Sequence, residues 1–152
     1  MKRILFVCLG NICRSQMAEA IFRNMVSESG RDADFFIDSA GTSSCNQGLP
    51  ADYRAIDELA RHGLSTEHKA RQVEAEDFYN FDYILAMDRD NYETLMWMSG
   101  DSEDEKKKIM MFRDFDPNGS GSVPDPYYGG REGFEKVFKM CERTCRSLLD
   151  KL

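Results

Sequence analysis

No stretch of this chain approaches the ~20 consecutive apolar residues of a membrane-spanning helix, so no span is expected. Basic residues are outnumbered: 20 Lys and Arg stand against 27 Asp and Glu, a net charge of −7. Nucleic acid is therefore not expected as a partner, because a phosphate backbone is gripped by a basic face. Any phosphate site must then be a local positive feature in an acidic molecule. Histidine is scarce, at two residues, and the five cysteines (Cys8, Cys13, Cys45, Cys141, Cys145) have no zinc-ligand spacing. An odd set of this kind suits a cytoplasmic protein with free thiols. Internal repeats and low-complexity tracts are absent. Met1-Lys2-Arg3 ahead of the apolar Ile4 to Leu9 looks like the start of a secretory signal, but the run is too short and no small-residue cleavage site follows.

What is present fits one ordinary globular domain over residues 1–152, with 41% hydrophobic and 31% charged residues. The charge run from Glu103 to Lys108 reads as a solvated helix start or loop. Residues 2–8 are continuously apolar beyond the first two, which predicts a buried parallel strand. A helix follows over 15–28, with Met17, Ala18, Ile21, Phe22 and Met25 on one face and Gly30 past its end. Further strands are expected at 35–40 (stopped by Gly41), 81–87 and 109–112, and helices at 50–61, 75–80, 88–97 and 132–149. His62 reads as a capping residue at the C-terminus of the helix over 50–61. A loop rich in Gly, Pro, Ser and Asp spans 113–130. Alternating strands and helices predict an α/β three-layer sandwich of the flavodoxin or Rossmann kind, a four-stranded parallel sheet with helices on both faces. Ligands in such folds sit beyond the carboxyl ends of the strands.

Cys8 lies at such an end. It begins a C-x5-R pattern, Cys8-Leu9-Gly10-Asn11-Ile12-Cys13-Arg14, with Ser15 opening a helix and Gly10 placed for a tight turn. Successive N–H groups from Leu9 to Arg14 can curl into a concave anion site at the positive end of that helix. Arg14 can hold two phosphate oxygens in a bidentate fork. A thiol at a helix N-terminus beside a cation is acidified and needs no neighbouring base to act as a nucleophile. The N–H groups and Arg14 supply the charge stabilisation, so no metal or cofactor is required.

Cys8 to Ser15, together with Asp125-Pro126-Tyr127-Tyr128-Gly129, resembles the low-molecular-weight protein tyrosine phosphatases. The likeness continues through Asp38-Ser39-Ala40-Gly41-Thr42, Asp52-Tyr53-Arg54, Arg61-His62-Gly63, Ala70-Arg71-Gln72 and Phe81 to Asp88, nearly the whole chain in order. The resemblance implies hydrolysis of phosphotyrosine monoesters through a phosphocysteine on Cys8, with Asp125 as general acid and then base. It implies phosphotyrosine-containing proteins or small aryl phosphates as substrates, inorganic phosphate or other oxyanions as inhibitors, and a monomer. Supporting roles fall to Asn11 in a strained turn bonded to Ser39, to Ser15 as a donor to the Cys8 thiolate, and to His68 as a histidine bonding that serine. From the residues alone, Ser15 also reads as a helix N-cap and Ser39 as a strand-end hydroxyl. A reversible Cys8–Cys13 disulfide under peroxide is a further implication. Ile12, Cys45, Asn46, Tyr127 and Tyr128 would wall the substrate pocket, with Cys45-Asn46 where relatives commonly show an aromatic residue.

Other readings stay open. Asp114, Asp116, Asn118, Gly119 and Asp125 mimic a calcium loop, but Asp stands where the twelfth ligand should be Glu, and Pro124 and Pro126 flank it. An arsenate reductase would need relay cysteines mid-chain, and none lies between Cys45 and Cys141. Phosphoarginine phosphatases carry Thr where this chain has Ile12. A phosphate-binding or redox-sensing module without turnover is the non-enzyme alternative.

Overall fold

The computed structural model describes residues 1–152. Four parallel strands form the sheet in the order β2-β1-β3-β4: β1 Lys2–Cys8, β2 Phe35–Gly41, β3 Tyr83–Ala86 and β4 Ile109–Met111. Period-two alternation on β1 sends Ile4, Phe6 and Cys8 into one layer, and Leu5 and Val7 into the other. Both sets are buried, which is why the run reads as continuously apolar.

The larger layer is packed by α1 (Arg14–Glu28), α2 (Tyr53–Arg61) and, after the shorter helices of the opposite face, α6 (Arg131–Lys151). Phe6 meets Phe22 and Phe112 edge-to-face at 5.8 and 5.5 Å between ring centres. On the other face lie α3 (Asp77–Asn80) and α4 (Arg89–Met98); the solvated charge run forms the short α5 (Glu103–Lys106). Helices on both faces of one parallel sheet make this the α/β sandwich that the alternation predicts. The chain runs from β1 to β2 on one side and returns to β3 on the other. The reversal point, where such sheets bind ligands, is therefore at the end of β1, at Cys8.

Several boundaries differ from the sequence reading, each for a local reason. The second helix begins at Tyr53, not Pro50, because Asp52 caps it by accepting the Arg54 N–H at 2.9 Å. The third strand is trimmed at both ends: Phe81 closes α3, and the Met87 carbonyl accepts the Val123 N–H at 2.7 Å. Phe112 leaves β4 to open a 3-10 turn over Phe112–Phe115. His62 sits at the C-cap of α2, and its ring also stacks on Phe138 at 3.6 Å.

The resemblance to a calcium loop fails on Asp116, whose side chain is fully buried. Its two oxygens accept from Arg113 Nε (2.9 Å) and from Arg143 Nε and Nη2 (2.8 and 2.9 Å). The Arg143 hydrogen bonds hold this carboxyl well below the usual carboxylate range, outweighing the opposite pull of burial. Asp116→Ala is expected to cost about 3 kcal/mol by urea unfolding at neutral pH, the low end for a buried ion pair, since Arg143 keeps 32% of its side chain exposed. The folded pKa lies below the unfolded value of about 3.9, so the contribution is complete above that pH and lost as pH falls through the folded pKa. The gap between wild type and variant should therefore shrink below about pH 4; a gap unchanged to about pH 2 would refute the assignment.

Candidate active site

Between β1 and α1 the chain makes a loop in which each carbonyl from Cys8 to Cys13 is engaged from outside. The Cys8 and Leu9 oxygens accept the Thr42 and Ser43 N–H groups at 2.9 and 3.0 Å. Those of Gly10 and Asn11 accept the Asn46 and Gln16 side-chain amides at 3.3 and 2.9 Å. Ile12 and Cys13 accept from Asp52 N and Met17 N at 2.8 and 2.9 Å. With its oxygens turned outward, the loop presents its amides inward. The N–H groups of Leu9, Gly10, Ile12 and Cys13 donate to no protein group, an arrangement made for an anion.

Asn11, not Gly10, takes the left-handed turn (φ 57°), a position non-glycine residues occupy only when their surroundings over-determine it. Asn11 Oδ1 accepts the Arg71 backbone N–H at 3.1 Å, which fixes that atom as the oxygen. His68 Nε2, 3.0 Å away, must then be the donor to it. Asn11 Nδ2 donates to Ser15 Oγ (2.7 Å) and Ser39 Oγ (3.0 Å), and Ser39 donates to Glu19 (2.6 Å). Glycine is needed at Gly41, where a Cβ would meet backbone, whereas at Gly10 it would meet only the end of the Asn46 side chain. A Cβ at Gly10 would lie 2.4 Å from Asn46 Nδ2, and one at Gly41 would strike the Leu9 carbonyl oxygen at 2.6 Å.

Cys8 Sγ lies 3.0 Å from Ser15 Oγ and accepts the Asn11 N–H at 3.3 Å. Because Ser15 Oγ already accepts from Asn11, its hydrogen is free to point at the sulfur. Two expectations need correcting here. Ser15 is not the N-cap, a position taken by Cys13 without a side-chain cap bond. His68 bonds Asn11 rather than a serine, and so reaches Ser15 only through the Asn11 side chain.

Arg14 is 3% exposed and donates through Nη1 to Asp88 Oδ2 (2.7 Å) and to the Val123 carbonyl (3.0 Å). Burial alone would lower its pKa, but the neighbouring Cys8, Asp88 and Asp125, with the hydrogen bond to Asp88, outweigh it and hold the guanidinium charged. Its Nη2 faces Asp125 Oδ2 at 3.7 Å across the cavity mouth. That cavity, about 260 Å³, has the loop and Arg14 as its floor, Cys45 and Asn46 on one wall, and Asp125, Tyr127 and Tyr128 on the other. Ile12 and Tyr127 supply apolar surface for a flat ring. Of the residues marked from the sequence for phosphate or substrate contact, all but Asn11 and Ser15 line this cavity; those two are fully buried and, with Ser39 and His68, form the hydrogen-bond network that supports the loop.

The sequence reading assigned no role to Asp88, Gln16, Glu19, Arg71, Asp52 or Arg54. Asp88, Asp52, Arg54 and Arg71 stand inside stretches that resemble the family, which was the only available signal. Cys13 is buried in the loop, and burial pushes its thiol well above the ordinary range, with Asp52, Cys8 and Asp125 adding to the effect. Burial likewise pushes Cys141 up to about 12. Ligand-type atoms of Glu19, Asp38 and His68 cluster within 4.8 Å: His68 Nδ1 lies 3.6 Å from Glu19 Oε1 and 3.3 Å from Asp38 Oδ1, and these two oxygens accept from the Ser39 hydroxyl and the Ser39 backbone N–H, in a network beneath the loop.

A family model described as low molecular weight phosphotyrosine protein phosphatase matches residues 3–152. The chain is 45% identical over 150 residues to the Homo sapiens low molecular weight phosphotyrosine protein phosphatase, covering 99% of this chain and 95% of that protein. It is similar, at a TM-score of 0.95 and 41% identity, to a protein tyrosine phosphatase from Entamoeba histolytica crystallised with Hepes in the active site, covering 99% and 96% of the two chains. A drosophila arginine phosphatase is similar at a TM-score of 0.91 and 37% identity, covering 99% and 97%.

Proposed function

Given that this chain belongs to the low molecular weight phosphotyrosine protein phosphatase family and is a phosphotyrosine protein phosphatase, we propose that Cys8, Arg14 and Asp125 carry its chemistry in two steps. In the first, the phosphoryl group sits on the loop amides and Arg14, and Cys8 Sγ attacks phosphorus in line. The P–O bond breaks as Asp125 gives its proton to the phenolic oxygen, leaving a phosphocysteine. In the second, the Asp125 carboxylate takes a proton from water, whose oxygen attacks phosphorus. The S–P bond breaks and the sulfur leaves as thiolate, eased by the Ser15 hydroxyl. The loop amides and Arg14 stabilise the charge throughout, so neither step calls for a metal. The observation that carries this reading is the loop itself: six outward carbonyls and a set of unpaired amides centred beside the Cys8 sulfur.

The apolar walls from Ile12 and Tyr127 favour an aryl ester over the flexible side chain of phosphoarginine. The test is kcat/KM on peptides carrying phosphotyrosine, phosphoserine or phosphoarginine, all with excess chelator. Phosphotyrosine is expected to lead by at least about 10-fold, the scale on which an apolar pocket discriminates. Phosphoarginine turned over equally well would overturn this specificity. Small aryl phosphates as substrates, inorganic phosphate and related oxyanions as inhibitors, and a monomeric single domain over 1–152 complete the proposal. Five free thiols support a cytoplasmic setting and a redox role for Cys8 with Cys13.

A further inference from the structure

Asp125 is exposed, with 43% of its side chain in water, and its loop carries little burial of its own. General acid catalysis nevertheless requires the carboxyl to be held within hydrogen-bond reach of the leaving oxygen. Within its own loop, Asp125 Oδ1 accepts the Tyr127 backbone N–H at 3.0 Å. The carbonyl of that same Tyr127 accepts from Arg54 Nη1 at 2.8 Å, and Nη1 also lies 3.4 Å from the Gly129 carbonyl. Arg54 is itself anchored: Nε and Nη2 donate to the two oxygens of Asp52 at 3.1 and 2.9 Å. The Arg54 side-chain bonds hold the Asp52 carboxyl below its ordinary range against the pull of burial. Asp52 in turn donates its backbone N–H to the Ile12 carbonyl of the phosphate loop at 2.8 Å. The Arg54 guanidinium also lies over the rings of Phe134 (4.9 Å) and Tyr127 (5.3 Å), which fixes its plane.

We propose that Arg54 is a positioning residue for the general acid, a latch that sets the height of Asp125 over the phosphate loop through Asp52 on one side and the Tyr127 peptide on the other. This role rests on the reading of Asp125 as the acid. A guanidinium suits the task because its fork grips a carboxylate with one edge and a carbonyl with the other; an ammonium is a single point of donation.

The readout that separates positioning from mere support is dependence on the leaving group. Arg54→Met and Asp125→Asn, singly and together, are assayed by kcat/KM on phenyl phosphate and on 2,4-dinitrophenyl phosphate. The second leaving group is far more acidic and needs little protonation. Arg54→Met is expected to lose about 10- to 50-fold on phenyl phosphate, a part of the 10²–10⁴-fold that a general acid provides, and no more than about 3-fold on the activated ester. The double variant should be no slower on phenyl phosphate than Asp125→Asn alone, since the latch has nothing left to position. Arg54→Lys should fall between, and competitive inhibition by inorganic phosphate should stay within about 2-fold of wild type for both variants, showing an intact phosphate loop. Equal losses on both esters, or losses that multiply in the double variant, would overturn the latch. If Asp125→Asn itself showed no leaving-group dependence, the acid assignment would fall and the latch with it.

Discussion

Cys8→Ser is expected to abolish hydrolysis of a phosphotyrosine peptide, lowering kcat/KM by on the order of 10⁴-fold or more. A serine hydroxyl at the end of β1 would meet the same amides, but it is not ionised near neutral pH, and no histidine or carboxylate hydrogen-bonds the Cys8 sulfur to serve as its base. The binding function should survive. The unpaired amides of Leu9, Gly10, Ile12 and Cys13 and the Arg14 guanidinium are untouched, so calorimetry should find inorganic phosphate bound within a few-fold of wild type. Turnover persisting in this variant would sink the phosphocysteine mechanism. Loss of phosphate binding together with turnover would show that the substitution had collapsed the loop.

Asp125→Asn is expected to lower kcat/KM for phosphotyrosine by about 10²–10⁴-fold, or roughly 3–5 kcal/mol of barrier, because the phenolate must then leave unprotonated. The carboxyl faces the Arg14 Nη2 at 3.7 Å and shares a cavity with the Cys8 sulfur, so one group can serve the leaving oxygen and then the attacking water. With an activated aryl ester the first step should outrun the second, since the variant lacks the base as well. Rapid quenching should then capture phosphate on the peptide that contains Cys8, detected by mass spectrometry. A variant that retained wild-type rates on phosphotyrosine, or left Cys8 unmodified under these conditions, would remove Asp125 from the reaction.

Much of this was legible in the chain before folding was considered. The run from Ile4 to Val7 is buried on both faces because a parallel sheet is covered on both sides, and such a strand writes itself as unbroken apolar sequence. The spacing from Cys8 to Arg14, followed by a helix, confines thiol, guanidinium and amides to one loop because the intervening chain is too short to place them elsewhere. Local contacts of that kind are carried by sequence order alone. Element ends were less legible, since Asp52 as a cap and Met87 as an acceptor for Val123 depend on groups that no periodicity reveals.

Tertiary structure decided what lies across the loop from where. Arg14 is paired with Asp88 and reaches the Val123 carbonyl, 74 and 109 residues away. The strained backbone of Asn11 is held by Arg71, His68 and Ser39, from β2 and the segment after α2. Gly41 is required because the Leu9 carbonyl passes where a Cβ would stand, a constraint invisible until β1 and β2 are paired. The latch from Ile12 through Asp52 and Arg54 to Tyr127 joins three segments remote in the chain. Sequence order determined the nucleophile, its phosphate grip and the strand that aims them, because these are neighbours along the backbone. Only the folded sheet decided which carboxylates, carbonyls and side-chain amides close around them, because those partners meet through packing rather than through proximity in the chain.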